Sequence, residues 1–267
     1  MQYVLLSEIA SHGISVMKRQ SVVFLPGFMC DGRLFRPQIE ALSRKGVACS
    51  VGDLTQACSI ERMAQMVLKD APKRFAVAGL SMGGIVALEI YKQAPERVTH
   101  LALMNTTARA DAAGLARKKQ LGRVAAGELD LVLREELKPQ YLAPLNRTPE
   151  RLELLEAMGV ALGKDVFCRQ TMALTIRDAY LETASSILCP TLVIAGADDT
   201  VCPIDRHEEI ANRIGASQLT VLSNCGHIST LEQPEAVSGA ILELLARPGA
   251  YATRNGNCKL EVVETPN

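Results

Sequence analysis

The alternation of short apolar runs with amphipathic stretches is the feature that most constrains this chain of 267 residues. The first run begins at Ser21, reads Ser-Val-Val-Phe-Leu and ends at Pro26-Gly27. After Ser59, a residue type that caps helices, apolar residues recur at helical spacing along one face. Strands that alternate with amphipathic helices are typical of βαβ units. The pattern therefore predicts an α/β fold with a mostly parallel central sheet flanked by helices.

Apolar runs bounded by turn residues mark the predicted strands. They span residues 21–25, 47–51, 75–78, 98–104, 191–195 and 218–222, with a further strand at 259–263. Helices are predicted at 35–44, directly after Ser59, from 82 to about 92, at 204–214 and at 232–246.

The stretch from 107 to 186 interrupts the alternation. Ala, Leu, Glu and Arg dominate it in a helical pattern, and it contains no convincing strand. We expect these residues to form a helical lid inserted into the sheet domain. The predicted organisation is an α/β core made of residues 1–106 and 187–247, the lid at 107–186, and a C-terminal tail at 248–267.

Composition argues against several classes of function. The 29 Lys and Arg residues balance 29 Asp and Glu without a long run of one sign, so no nucleic-acid partner is expected. No apolar stretch reaches the roughly 18 to 20 residues of a membrane-spanning helix, and residues 1–20 lack the basic start of a secretory signal. The eight cysteines are scattered without a CxxC pair and are predicted to be free thiols. These patterns predict a cytoplasmic protein with no membrane partner, and they leave the oligomeric state open.

The strongest local signal is the hexapeptide Gly-Leu-Ser-Met-Gly-Gly at residues 79–84, between a predicted strand and a predicted helix. Small residues are required two places before and after the serine, because the turn is so sharp that larger side chains would collide. Such a turn raises the serine clear of the sheet. The motif therefore predicts Ser81 as a catalytic nucleophile.

A serine hydroxyl becomes an effective nucleophile only when a neighbouring base takes its proton. The chain has four histidines: His12, His100, His207 and His227. In α/β-hydrolases, which present the serine on this strand-turn-helix element, an acid and then the histidine follow along the chain. His100 falls inside a predicted strand, which leaves His207 and His227. His207 lies in a charged helical run and is expected to be solvated, whereas His227 follows a predicted strand in a Gly-His loop and is predicted to be the base.

The acid is expected in the loop after the strand at 191–195. That loop reads Gly-Ala-Asp-Asp-Thr-Val-Cys-Pro and holds two adjacent carboxylates, Asp198 and Asp199. Neighbours along an extended loop point in opposite directions, so one can reach His227 while the other caps the turn or the next helix. The spacing alone does not choose between them.

With these residues in place, the chain resembles the lid-bearing serine branch of the α/β-hydrolase superfamily over roughly residues 20–247. The acid loop of that family reads Gly, two residues, Asp, three residues, Pro, which Gly196, Asp199 and Pro203 fit. The resemblance thus favours Asp199. The family's other acid position is Asn105 here, so no carboxylate competes there.

The histidine loop and the lid extend the resemblance. The family pattern of Gly-His followed by Glu-x-Pro is similar to Gly226-His227 and residues 232–234. The lid segment 171–174 and the acid-loop segment 190–203 look like those of small esterases and 3-oxoadipate enol-lactonases. The resemblance also implies an oxyanion hole formed by the amides of Phe28 and Met82, although the family usually has His-Gly where this chain has Pro26-Gly27.

These residues predict a serine hydrolase that cleaves carboxylic esters or lactones through an acyl-enzyme, with a small-molecule ester or lactone as substrate and without cofactor or metal. Serine at the turn and the absence of tryptophan argue against the related dehalogenases. Other chemistry on the same triad remains open: C–C bond hydrolysis, thioester hydrolysis or acyl transfer, and cofactor-free peroxidation. A ligand-binding receptor of the same fold is the non-enzymatic alternative. Few aromatic residues and an Ala, Leu and Met-rich lid predict an apolar pocket for small or medium acyl groups.

Overall fold

Every pair of neighbouring strands in the central sheet is parallel in the computed structural model, which describes residues 20–110, 114–249 and 259–263. The described residues contribute seven strands in the order β2-β1-β3-β4-β5-β6-β7. Their bounds are β1 Ser21–Leu25, β2 Ala48–Val51, β3 Phe75–Leu80, β4 Val98–Met104, β5 Thr191–Gly196, β6 Ser217–Leu222 and β7 Lys259–Val263. The predicted fold class, an α/β-hydrolase fold with a parallel sheet, is confirmed.

The helices follow the strands as the sequence pattern requires. They are α1 Arg36–Arg44, α2 Ile60–Asp70, α3 Met82–Gln93, α4 Gly114–Ala125, α5 Leu129–Leu131, α6 Pro149–Thr175, α7 Leu181–Ser186, α8 Ile204–Arg213, α9 Ser229–Glu232 and α10 Pro234–Ala246. Short 3-10 turns lie at Gly32–Phe35, Pro95–Arg97, Lys138–Tyr141 and Pro144–Asn146, and a π-helical turn lies at Val132–Leu137.

Both faces of the sheet are buried under helices. Successive side chains of a strand point to opposite faces, and β1 shows the result. Val22 and Phe24 enter the apolar cluster beneath α1 and α10, whereas Val23 and Leu25 enter the cluster beneath α2 and α3. A strand that is buried on both faces has a continuous run of apolar residues in its sequence, as the predicted strands of this chain do.

Two elements differ from their predicted limits. β3 continues to Leu80, beyond the predicted end at residue 78, because Gly79 still pairs with Leu25 of β1. The helix predicted over 232–246 is instead divided into α9 and α10 at Gln233, whose φ is −136° and ψ is 64°. The ring of a following proline disfavours helical backbone, so the chain breaks there. The other predicted limits differ by no more than one residue at an end.

The segment 107–186 consists of helices and turns, with no strand among its described residues. Its longest helix, α6, is kinked at Gly163, where φ is 79° and ψ is 174°. Positive φ is a conformation that glycine adopts without a steric penalty, which explains this residue at the kink. The helical content of the segment is therefore as predicted, and its division from the core as a lid remains a prediction. We call residues 107–186 the insert.

Part of the predicted tail belongs to the sheet. β7 lies within residues 248–267 and pairs in parallel with β6 from Lys259 to Val263. The strand prediction at 259–263 is thereby confirmed. The α/β sheet extends past the predicted core boundary at residue 247.

Two predictions from composition concern the described residues as a whole. The seven cysteines in the described ranges are free thiols, as predicted, and Cys258 lies outside those ranges. None of the helices in this part of the chain is long and apolar enough to cross a lipid bilayer.

The N-terminal cap of α2 can be tested by substitution. Ser59 has extended backbone, and its Oγ accepts a hydrogen bond of 3.2 Å from the amide of Arg62. Ser59→Ala removes this cap and is expected to lower the free energy of unfolding by about 1 kcal/mol, whereas Ser59→Asp retains it. Urea denaturation measures the difference. Ser185→Ala, at an exposed position in α7, is the control with little or no expected loss, and an equal effect of the two alanine substitutions would contradict the capping role.

Candidate active site

Ser81 lies at the junction of β3 and α3 in a strained backbone conformation. Its φ is 54° and its ψ is −117°, a region that non-glycine residues rarely adopt. The surrounding backbone holds it there. The Ser81 amide donates to the carbonyl of Met104 at 2.9 Å, and the amides of Gly84 and Ile85 donate to the Ser81 carbonyl. The turn therefore presents the serine at the carboxyl edge of the sheet, as the motif predicts.

The glycines around Ser81 are required by close backbone contacts. A Cβ atom on Gly79 would overlap the carbonyl oxygen of Gly83, and one on Gly83 would overlap the carbonyl oxygen of Leu25. A Cβ on Gly84 would overlap the side chain of Thr106. The first turn of α3 therefore packs directly against the ends of β1 and β4. This contact places Ser81 next to the loops that follow both strands.

The structure brings the three predicted triad residues together. His227 Nε2 lies 2.8 Å from Ser81 Oγ, and His227 Nδ1 lies 2.8 Å from Asp199 Oδ2. The His227 side chain is buried, with 1% of the residue exposed. A carboxylate can only accept, so Nδ1 carries the proton and Nε2 is left to accept the hydroxyl proton of Ser81. This tautomer is the one that allows His227 to act as a base.

The carboxylate of Asp199 is buried, and both of its oxygens accept hydrogen bonds. Its Oδ1 accepts from the amides of Val201 and Cys202 at 2.9 Å each, and its Oδ2 accepts from Asn105 Nδ2 at 3.1 Å. Burial acts to raise the pKa of Asp199, but the His227 ring and these hydrogen bonds outweigh it and hold the pKa below its ordinary value. Asp199 is therefore ionised and orients the imidazole.

Asp198 points away from this arrangement. Its side chain is exposed, and its backbone amide donates to the carbonyl of Cys225 at 2.8 Å. Of the two adjacent carboxylates, only Asp199 contacts the histidine. The extended loop expected here is instead a turn at residues 197–198, in which the amide of Asp199 donates to the carbonyl of Gly196 at 3.2 Å, and this turn separates the two side chains.

Asn105 has a role that the sequence reasoning did not assign. It follows β4 with a φ of 47°, and its Nδ2 also donates to the carbonyl of Gly226 at 3.0 Å. The same amide group therefore ties the acid to the loop that carries His227. The available signal was its residue type, because asparagine adopts positive φ more readily than most residues and sits here at the carboxyl end of a strand.

Glu232 stabilises the loop that carries His227 by accepting hydrogen bonds from its backbone. Its buried carboxylate accepts from the amides of Gly226 at 3.0 Å and Ile228 at 3.1 Å, the two neighbours of His227. It also accepts from the amide of Ala143 in the insert at 2.8 Å. The Glu-x-Pro pattern pointed to this residue without revealing what it binds.

The residues predicted to form the oxyanion hole lie beside the serine. Phe28 and Met82 both line the cavity that contains Ser81. A Cβ on Gly27 would lie 3.4 Å from the Cβ of Ser81, which shows how closely the loop after β1 approaches the nucleophile. Met82 is the first residue of α3, where amides lack intrahelical acceptors and the helix dipole favours negative charge.

Two insert residues hold the backbone of Met29, the residue that follows Phe28. Gln170 Oε1 accepts from the amide of Met29 at 2.9 Å, and Lys138 Nζ donates to the Met29 carbonyl at 2.8 Å. Met29 has a φ of 51°, so this loop is strained. Lys138 is 1% exposed, and burial lowers the pKa of its ammonium group. Sequence reasoning missed both side chains, because a lysine and a glutamine in a helical pattern are typical of a solvated surface.

The insert also supports His227. The amides of His227 and Ile228 donate to the carbonyl of Tyr141 at 2.9 Å and 3.1 Å. The rings of Tyr141 and His227 pack with centroids 5.3 Å apart. Residues of the insert therefore complete the surroundings of both the oxyanion loop and the base.

His207 does not have the solvated position expected for it. It is fully buried, with Nε2 accepting from the Thr106 amide at 3.0 Å and Nδ1 donating to the Pro203 carbonyl at 3.2 Å. Burial lowers the pKa of His207 to about 4. The charged neighbours that suggested exposure occupy the outer face of α8, and the histidine occupies the inner face. The ring is a structural group that positions the residue after Asn105.

A cavity of about 630 Å³ opens beside Ser81. Its apolar wall includes Met82, Ile85 and Leu174, in line with the predicted apolar pocket. The wall also carries four arginines, which that prediction did not include: Arg109, Arg117, Arg177 and Arg206. The pocket is therefore amphipathic rather than uniformly apolar.

Comparison with known sequences identifies the family. The sequence profile described as the Alpha/beta hydrolase family matches residues 22–240, which is most of the chain. The chain belongs to this family. The resemblance inferred from the motifs is thereby confirmed, and with it the class of hydrolases.

Individual relatives of this α/β hydrolase carry different activity names. A protein of Rhizobium rhizogenes named "Putative carbamate hydrolase RutD" is 27% identical over 88% of this chain and 95% of its own length. A thermophilic esterase from Thermogutta terrifontis, solved with malate bound, has a TM-score of 0.78 and 25% identity over 86% of this chain and 91% of its own. The enol-lactonase of Burkholderia xenovorans has a TM-score of 0.75 and 22% identity over 85% and 92%, a likeness that shows the fold alone.

The close packing at the turn of this α/β hydrolase is testable through its glycines. Gly79→Ala and Gly83→Ala force backbone atoms apart and are expected to lower the free energy of unfolding by about 3 kcal/mol or more, or to prevent soluble expression. Gly122→Ala in α4 is the matched control, because no described atom lies within 4 Å of its Cβ. It is expected to raise stability by about 0.5–1 kcal/mol. Urea denaturation and soluble yield are the measurements, and similar values for all three variants would contradict the packing account.

The buried imidazole of His207 predicts a dependence of stability on pH. The unfolded chain takes up this proton near pH 6.5, whereas the folded protein does so only near pH 4. The stability that the neutral ring contributes is thus complete above pH 6.5 and is lost as the pH falls toward 4. Through this group, the free energy of unfolding is expected to fall by about 2 kcal/mol between pH 7 and pH 5.

Two measurements examine this expectation. Urea denaturation at both pH values gives the total change, and His207→Gln is expected to reduce it. An NMR titration of the histidine rings reports the group directly in the unaltered protein. A His207 midpoint near 6.5 would rule out the buried neutral state.

Proposed function

We propose that this α/β hydrolase is a serine hydrolase that cleaves carboxylic esters or lactones through an acyl-enzyme. The observation that carries the proposal is the continuous hydrogen-bond chain from Asp199 through His227 to the hydroxyl of Ser81, with both links at 2.8 Å. The name of the esterase relative from Thermogutta terrifontis supports the substrate class. The proposed reaction uses no cofactor and no metal ion.

In the acylation step, Ser81 Oγ forms a bond to the substrate carbonyl carbon while its proton passes to His227 Nε2. The carbonyl π electrons move to oxygen, where the amides of Phe28 and Met82 stabilise the negative charge. Asp199 remains ionised and stabilises the imidazolium. The tetrahedral intermediate then expels the alkoxide, which takes the proton from His227 and leaves as the alcohol.

In the deacylation step, His227 removes a proton from water, and the hydroxide attacks the acyl-enzyme carbonyl. The second tetrahedral intermediate collapses with cleavage of the bond to Ser81, and His227 returns the proton to the serine oxygen. For a lactone, the released alcohol stays attached to the acyl chain, and the product is a hydroxy acid.

The backbone at Ser81 argues for turnover over ligand binding alone. A φ of 54° at a non-glycine residue costs free energy that a binding site for a ligand has no use for. The strain directs the hydroxyl to His227. A receptor of this fold would not require the serine, the histidine and the aspartate at hydrogen-bond distance.

Carbamate hydrolysis is a second candidate function. It is favoured by the similarity to the Rhizobium rhizogenes protein, which spans 95% of that protein's length. The same serine attack on a carbamate carbonyl produces a carbamoyl-enzyme, so the triad does not distinguish the two substrate classes. Parallel assays of p-nitrophenyl acetate and a p-nitrophenyl carbamate compare them with one leaving group.

The two adjacent aspartates provide a matched test of the triad. Asp199→Asn is expected to lower kcat on p-nitrophenyl acetate by on the order of 10⁴, because the neutral amide no longer favours the required histidine tautomer. Asp198→Asn removes the same charge from an exposed neighbour and is expected to change kcat by less than about twofold. Steady-state kinetics at pH 8 measure both, and an equal loss in the two variants would exclude Asp199 as the triad acid.

Covalent labelling tests the nucleophile independently of the natural substrate. A fluorophosphonate is expected to modify the protein at Ser81, with mass spectrometry locating the adduct, and Ser81→Ala is expected to abolish it. A receptor whose triad is inactive would leave Ser81 unmodified, which would contradict the proposal.

A further inference from the structure

The loop after β1, which carries the candidate oxyanion donor, forms a β-turn from Gly27 to Cys30. The amide of Cys30 donates to the carbonyl of Gly27 at 3.1 Å, and Phe28 and Met29 are the two central residues. Met29 has a φ of 51°, whereas Phe28 is not among the described residues with positive φ. Positive φ at the second central residue alone is characteristic of a type II turn, which normally has glycine or asparagine there. Met29 therefore adopts a conformation that its own side chain disfavours.

Rotation of the central peptide would relieve this strain. That peptide joins the carbonyl of Phe28 to the amide of Met29, and when it turns over, the φ of Met29 becomes negative. The result is a type I turn, which is compatible with most residues. Because Phe28 is the candidate oxyanion donor, this change would alter the backbone next to the donor amide. A partner outside the turn is needed to hold the central peptide as observed.

Gln170 of α6 is such a partner. Its Oε1 accepts from the amide of Met29 at 2.9 Å, and its Nε2 donates to the carbonyl of Leu54 at 3.2 Å. If the central peptide turned over, the carbonyl of Phe28 would face the Gln170 oxygen, and two acceptors would meet. Rotation of the Gln170 amide group would not help, because its oxygen would then face the Leu54 carbonyl. Gln170 thus stabilises the type II turn over the type I turn.

Lys138 holds the other polar group of Met29. Its Nζ donates to the Met29 carbonyl at 2.8 Å, and the side chain is fully buried. Lys138 belongs to the same 3-10 turn as Tyr141, whose carbonyl accepts from the amide of His227 at 2.9 Å. The turn at Lys138–Tyr141 therefore contacts both the oxyanion loop and the loop of the candidate base.

α6 contacts the oxyanion loop through a second side chain as well. The ring of Phe167 packs edge-on against the ring of Phe28, with centroids 5.2 Å apart. Phe167 and Gln170 are three residues apart, so they lie on the same face of the helix, and both are buried. Neither Gln170 nor Lys138 is among the described residues that line the cavity beside Ser81. They therefore act on the site through the backbone that they hold.

We propose that Gln170 and Lys138 are positioning residues for the oxyanion hole. They keep Met29 in the left-handed conformation and so direct the amide of Phe28 toward the oxygen of the tetrahedral intermediate. The inference rests on the proposed function, because it adds two residues to the same site. The insert thereby sets the rate of the reaction at Ser81 through side chains that do not contact the substrate.

Kinetics on p-nitrophenyl acetate test the role of each side chain. Gln170→Met and Lys138→Met place an unbranched side chain of similar length that lacks the hydrogen bond to Met29. Each is expected to lower kcat by about tenfold to a hundredfold with KM changed by less than about threefold, because a displaced donor weakens binding of the transition state more than binding of the substrate. Lys138→Met also removes a buried amine, so it is expected to fold and to carry the test if Gln170→Met is insoluble.

Arg169→Met is the matched control. Arg169 precedes Gln170 on α6, and its Nε donates to the carbonyl of Thr55 at 2.7 Å, next to the Leu54 carbonyl that Gln170 binds. The variant loosens α6 from that loop without breaking a bond to Met29, and kcat is expected to stay within about twofold. An unchanged kcat in Gln170→Met and Lys138→Met, or an equal loss in Arg169→Met, would overturn the positioning role and leave the hydrolase assignment intact.

Inhibition by trifluoroacetone separates positioning from a general loss of structure. The hydroxyl oxygen of Ser81 adds to the ketone carbon, its proton passes to His227, and the oxygen of the resulting hemiketal carries the negative charge that the oxyanion hole binds. The Ki is expected to rise by the same factor as kcat/KM falls in the two variants, and to stay unchanged in Arg169→Met.

Fluorine NMR detects this adduct without turnover, so it also serves if p-nitrophenyl acetate is not hydrolysed, a result that would count against the proposed function alone. Weaker formation of the adduct in Gln170→Met and Lys138→Met supports the positioning role. Equal affinity in the unaltered protein and both variants overturns it, as does the absence of an adduct in the unaltered protein.

Discussion

The contact on which the rest of the site depends is between two stretches of backbone, the carbonyl of Leu25 at the end of β1 and Gly83 in the first turn of α3. No side chain fits between them, so the helix begins directly against the sheet. That approach sets the positive φ of Ser81 and brings the loop after β1 to the side of the serine. One packing constraint of the backbone thus brings the nucleophile and the candidate oxyanion donors together.

The insert contributes residues that hold the site in place. Gln170 accepts from the amide of Met29 and Lys138 donates to its carbonyl, while the Tyr141 carbonyl accepts from the backbone of the histidine loop. The candidate oxyanion loop and the candidate base are therefore held partly by residues outside the sheet domain. A buried lysine is costly to desolvate, and its bond to the Met29 carbonyl together with its position over the Tyr141 ring offsets part of that cost.

Buried charge near the triad is compensated locally. Asp199 is stabilised by amides, an asparagine side chain and the imidazole, and Glu232 is stabilised by the backbone on either side of His227. Each carboxylate accepts several hydrogen bonds, as a buried anion requires. The buried carboxylates that hold the site together are thus neutralised within the protein.

The amino-acid sequence by itself determined the α/β class, the strand-turn-helix at Ser81 and the selection of His227, because strand periodicity, the glycine pattern and chain order are all properties of the linear chain. It left Asp198 and Asp199 equivalent by spacing, and only a resemblance to a family favoured one of them. Tertiary structure decided that Asp199 reaches the imidazole, that His207 is buried, and that Lys138, Gln170, Asn105 and Glu232 hold the surrounding loops. Those facts depend on contacts between residues up to 141 positions apart in the chain. Such contacts leave no local pattern, because each partner looks like an ordinary polar surface residue until the fold places it next to a backbone group that needs it.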